Sequence, residues 1–168
     1  MEEVTDGMVA LLWEMSGKLG FSKDQVIIQD HRESFYAYAV CQEPELWKYD
    51  SMLFSCNGEE IWMKQLVCNK RTKPKIAEVD EICLGKLPEN VKDCDIAFSR
   101  MAQDAMSGRI VSSVYLIGSG FEGNWMKESL QVICRGRRAF QGKNLYTKGA
   151  CYAGMLAVHQ EQAETVYF

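Results

Sequence analysis

Three stretches of this chain combine residue types and spacings that can do chemistry. The apolar run over residues 111–117 leads straight into Gly118-Ser119-Gly120. A glycine turn after a buried strand lets backbone come close to a ligand, because no Cβ intervenes. A helix starting just beyond it would offer unpaired N–H groups to an anionic or polar group. The same pattern also describes a plain strand-to-helix connection. The second stretch is Asn57-Gly58, which tolerates positive φ and predicts a tight hairpin turn. The third is residues 127–148, with six bases and one acid, Glu128; it suits steering of an anion or an acidic surface, or it is a solvated face.

Other chemistry finds less support. The seven cysteines are odd in number, widely spaced and without a C-x-x-C pair, so neither zinc ligation nor a disulfide framework is expected. Several follow apolar residues, as Cys134 follows Val132-Ile133, and the expectation is reduced, mostly buried thiols. His31 and His159 fall in different predicted helices, and no local pattern pairs either with a nucleophile, so a thiol-dependent enzyme is the third reading. No catalytic residue and no metal ligand is assigned. Arg135-Gly136-Arg137-Arg138 with Phe140 nearby hints at nucleic acid, but a pI near 5.3 and the lack of repeated basic-aromatic platforms argue against it. Trp47, Trp62 and Trp125 are expected as core or rim anchors.

The elements that must position these residues follow from periodicity. Val4, Met8, Leu11, Leu12, Met15 and Leu19 recur at helical spacing and predict an amphipathic lead-in helix over 4–19. Val26-Ile27-Ile28 reads as a short buried strand. Asp30 with Glu33 three positions on is a capping box opening a helix over 31–41. Residues 51–68 read as a hairpin, with a weaker third strand over 75–79. A helix over about 91–105, a strong strand over 111–117, a helix over 124–134 capped by Asn124, a short strand over 137–140 and a helix over 144–158 complete the order. A hairpin followed by alternating helices and strands predicts an α/β fold with a mixed sheet, in which the 111–117 strand is central and parallel to the first strand of the hairpin.

Composition sets the frame. Of 168 residues, 47% are hydrophobic and 25% charged, which fits one folded domain with a real core. No run approaches the roughly 18 apolar residues of a membrane helix, and the acidic start, Glu2-Glu3 with Asp6, does not look like a signal peptide. A cytoplasmic protein is expected. The net charge of −4 is uneven: residues 1–60 hold 12 acids and 4 bases, residues 61–168 hold 11 acids and 15 bases.

In this order the motifs resemble the second lobe of the superfamily that joins actin, the heat-shock chaperone ATPase domains and the sugar kinases. Residues 26–40 look like that lobe's lead-in strand and helix, and 51–68 like its first two strands. Val114-Tyr115-Leu116-Ile117-Gly118-Ser119-Gly120 resembles the adenosine motif. Residues 143–153, with Gly149-Ala150 amid small residues, resemble the closing helix. The resemblance covers most of residues 21–158 and implies a ribonuclease H-like lobe of an actin-like ATPase fold. It implies an adenosine site at Gly118, Ser119 and Gly120 and a degenerate phosphate hairpin at Asn57 and Gly58. The ligand implied is ATP or another adenine nucleotide, bound weakly. Ser55 stands near the place where active members carry an acid, and a hydroxyl cannot hold hydrated Mg²⁺ as a carboxylate does. The other lobe is absent from the sequence.

The function expected is therefore a nucleotide-sensing or assembly lobe, not catalytically complete alone. Its partners would be the missing first lobe, a larger polypeptide or further copies of itself. The alternative is a protein-interaction module using the same fold without ligand. Gly120→Val is expected to remove nucleotide binding while leaving the fold intact.

Overall fold

A computed structural model describes residues 5–69, 71–72, 75–158 and 166–167. The first helix, α1 (Asp6–Lys18), starts where the Thr5 hydroxyl accepts from the Met8 N–H and is braced by a Glu14–Lys18 pair. Its apolar residues Met8, Leu11, Leu12 and Met15 remain largely exposed. Helix α2 (His31–Val40) opens with the expected capping box: Asp30 accepts from the Arg32 and Glu33 N–H groups, and Glu33 accepts from the Asp30 N–H.

The sheet begins with β1 (Asp50–Cys56) and β2 (Glu60–Asn69), joined through Gly58 at φ +97°. It continues with β3 (Lys75–Lys86), antiparallel to β2 as β2 is to β1. After α3 (Val91–Met106), β4 (Val111–Ile117) lies beside β1 and parallel to it, as expected. Helix α4 (Glu128–Ile133) leads to β5 (Arg138–Gln141), parallel to β4, and α5 (Leu145–Val158) follows. A two-residue β6 (Val166–Tyr167) adds in parallel to β3, so the sheet has the order β5-β4-β1-β2-β3-β6. The α/β fold with a mixed sheet is thus present.

Alternation along the strands divides the core in two. Met52, Phe54 and Cys56 of β1 join Phe98 and Ala102 of α3 and Ile133 of α4 on one face. Leu53 joins Leu66, Tyr115, Phe35 and Ala39 of α2, and Leu145 of α5 on the other.

Four expectations need correction. Residues 26–28 form no strand: a 3-10 turn at Lys23–Gln25 is followed by unpaired extended chain, with Ile27 exposed. A β-branched run becomes a strand only where a ladder partner exists, and no strand of the sheet pairs with these residues. The helix expected from 124 starts at Glu128, for a reason given below. The short strand spans Arg138–Gln141 rather than 137–140. Of the seven cysteines, none of them in a disulfide, only Cys56 is buried, while Cys41, Cys83, Cys134 and Cys151 are exposed. An apolar neighbour in sequence does not bury a residue on the opposite side of a helix or strand. His159 lies outside the described residues.

Candidate functional site

Because β1 and β4 run in parallel with Ser55 opposite Ile117, the segments that leave them emerge side by side. The structure therefore brings Gly118-Ser119-Gly120 against Cys56 and Asn57. Gly118 has φ +103°, and a Cβ there would stand 2.2 Å from the Cys56 carbonyl oxygen. A Cβ on Gly120 would stand 2.3 Å from Cys56 Sγ. Both glycines are thus required by the chain's own turn, with or without a ligand. The expectation that Gly120→Val spares the fold is corrected: any side chain there displaces the Cys56 hairpin. Ser119 is exposed, in a short 3-10 turn ending at Phe121. Trp125 Nε1 donates to the Gly120 carbonyl and Gln141 Nε2 to that of Phe121, closing the turn from the other side.

A concavity opens on the other side of the hairpin, on the α2/α5 face. It is a cleft of about 1140 Å³. Asn57, Gly58, Glu59 and Glu60 form its hairpin rim, Asp30, His31 and Arg32 its α2 rim, and Met8, Leu12 and Ile28 an apolar wall. Ser55 faces into it, while the adenosine-like turn does not line it.

The floor is an ion pair that sequence reading missed. Lys64 of β2 lies opposite Glu81 of β3, and Nζ donates to Oε1 with the two side chains 3% and 8% exposed. Tyr146, in the first turn of α5, covers the pair with its ring 5.7 Å from Lys64 Nζ. His31 stacks on that ring, centroids 4.0 Å apart and planes within 4°. Burial pushes the Tyr146 hydroxyl well above the ordinary tyrosine range, Glu81 adds to the shift, and Ser55 offsets part of it. Burial first, and Lys64 second, hold His31 below its ordinary value, so its neutral form is favoured. Desolvation would raise Asp30, but the hydrogen bonds it accepts from Glu33 and Arg32 prevail and hold it low. The signal available in sequence was a lysine amid Ile61-Trp62-Met63, since a charge in a buried strand must find a partner.

Charge in the cleft is partly satisfied internally. Lys64 is held by Glu81, Arg32 Nε lies 2.9 Å from Asp30, and Lys86 stands 3.9 Å from both Glu59 and Glu60. A polyphosphate would meet four carboxylates, Asp30, Glu59, Glu60 and Glu81, against three cations, Arg32, Lys64 and Lys86. Among the described residues no group of three or more His, Cys, Asp or Glu side chains is placed to hold a metal ion, and no helix is long and apolar enough to cross a membrane.

A second buried acid proved structural. Asp95 of α3 accepts from the N–H groups of Lys127, Glu128 and Ser129 and from the Ser129 hydroxyl. It thereby caps α4 from another helix, which is why α4 starts at Glu128 and not at Asn124. Desolvation acts to raise its pKa, but these hydrogen bonds hold it below the ordinary range.

Fold and cleft together define an α/β protein with a mixed sheet, helices on both faces and a cleft of mixed charge beside its first hairpin. The chain belongs to the family described as "Family of unknown function (DUF5716) C-terminal", which it matches over residues 1–168. Comparison with curated proteins and with solved structures found no match.

Proposed function

We propose that this chain is a ribonuclease H-like lobe of the actin-like kind, serving assembly or nucleotide sensing beside another part of a larger structure and not hydrolysing ATP alone. The supporting layout is three meandering strands followed by two parallel additions beyond the first, with helices on both faces. The observation that carries the functional part is Ser55. It faces the cleft from the end of β1, where an active relative of that superfamily would carry an acid, and its neighbour is Tyr146 rather than a charge. Phosphoryl transfer depends on metal and positioned charge, and the buried cation of the cleft, Lys64, is already engaged by Glu81. The matched family is itself described as C-terminal, which fits a lobe that works beside other sequence.

A second reading, an interaction module without ligand, is favoured by the packing of Gly118 and Gly120 on Cys56, which accounts for both glycines within the protein. Amide NMR during titration with ATP and Mg²⁺ separates the two. Shifts clustered at residues 117–124 or around the cleft, without phosphate release, support the sensing lobe. No shifts support the interaction module. Saturable hydrolysis by the chain alone, lost on substitution of Ser119, overturns both.

A further inference from the structure

The sheet has two outer edges of opposite character. On one side β3 runs for 12 residues, but β6 covers it only at Lys75 and Ile76. Beyond that point no strand among the described residues pairs with its outer side, leaving a row of backbone N–H and C=O groups. The solvent-facing positions there include Glu78, Asp80 and Ile82, all exposed, and residues 77–86 hold three acids and one base, Lys86, which faces Glu59 and Glu60. Glu81 is engaged by Lys64, so Glu78 and Asp80 set the charge of the edge.

On the other side β5 is paired, among the described residues, with β4 alone. Its Arg138 and Phe140 are exposed, and from Ser129 to Val158 the chain holds five bases and no acid. Arg138 does reach Glu43 at 3.0 Å, but both are largely exposed and such a pair is weak and exchangeable.

Direction matches as well as charge. β5 and β4 run with β1, and two antiparallel steps through β2 bring β3 back to the same direction. A copy displaced along the sheet therefore presents β5 parallel to β3, the relation β6 already adopts on that edge. Pairing β3 with β3 across a two-fold axis would set acids against acids, which is unfavourable.

We infer, resting on the assembly reading above, that a second copy of this chain is the partner: its basic β5 edge adds in parallel to the acidic β3 edge between residues 77 and 86. This heterologous contact continues the sheet from copy to copy and leaves a free edge of each kind at the ends, so it propagates unless a ring closes.

Two charge-reversed variants test it by sedimentation and light scattering of the whole chain at high concentration and low salt. Glu78→Lys with Asp80→Lys reverses one edge; Arg137→Glu with Arg138→Glu reverses the other. Each alone should raise the concentration at half-assembly by about tenfold or more. An equimolar mixture should assemble again, because intact β5 meets intact β3 and the two reversed edges are complementary to each other as well. Arg138→Glu by itself serves as a milder second variant, since Arg137 also touches Met106, and circular dichroism checks each fold. Amide exchange over residues 77–83 should slow as concentration rises. A wild-type chain that stays monomeric, assembly that survives in either variant, or a mixture that does not recover overturns the inference. Nucleotide shifts without hydrolysis in a strictly monomeric chain would leave the earlier reading standing and sink only this one.

Discussion

Gly149 of α5 lies so close to Ser34 of α2 that a Cβ on it would stand 1.9 Å from the Ser34 carbonyl oxygen. The two helices meet backbone to backbone over the β1–β4 face. Ser34 is fixed in turn by donating its hydroxyl to the Asp30 carbonyl and accepting from Gln29. Gly149→Ala should therefore push α5 outward and cost about 1–3 kcal/mol, and Gly149→Val should cost more. Urea denaturation of the two variants measures this; an unchanged midpoint for Gly149→Ala would show that the helices do not cross there.

The Lys64–Glu81 pair supplies the second prediction. Removing one partner from a buried pair strands a charge, so Lys64→Met alone should lose roughly 3–5 kcal/mol. Lys64→Met with Glu81→Leu should recover most of that loss, because two apolar side chains need no partner. A double-mutant cycle in urea checks the coupling, and strict additivity would contradict it.

His31 sets an acid-side slope. Its pKa in the folded chain lies below the ordinary 6.5, so the unfolded chain takes up the proton first as pH falls. The contribution of the neutral ring is fully present above 6.5 and is lost as pH falls through the lower folded value. His31→Phe keeps a ring against Tyr146 but cannot titrate, and should flatten the stability profile in that window alone. Asp30 and Asp95 act in a lower window, since both are held below the ordinary 3.8. Their stabilisation is complete above 3.8 and is lost below it. Thermal melts across pH, with and without His31→Phe, separate the two windows.

Asp95→Ala should free three backbone N–H groups at the start of α4 and the Ser129 hydroxyl. The cost expected is about 1–3 kcal/mol, together with faster amide exchange at residues 127–129. Exchange that stays slow there would mean another group caps the helix.

Much of the local structure was legible because it is written in adjacent residues. Asp30 and Glu33 announce their capping box, Asn57-Gly58 its hairpin turn, and residues 111–117 their strand, each through contacts a few positions apart. The order of these signals was enough to expect a mixed sheet with β4 beside β1. Tertiary structure decided the rest, because the deciding partners are distant in sequence. Glu81 reaches Lys64 only after β2 and β3 pair, and Asp95 replaces Asn124 as a cap only once α3 and α4 meet. Residues 26–28 have the composition of a strand, but no strand of the sheet pairs with them. Gly118 and Gly120 carry the pattern of a ligand turn, yet it is Cys56, brought alongside by the parallel pairing of β1 and β4, that demands their missing side chains. Residue spacing can report what a backbone is able to do, whereas only the folded chain shows which neighbour makes use of it.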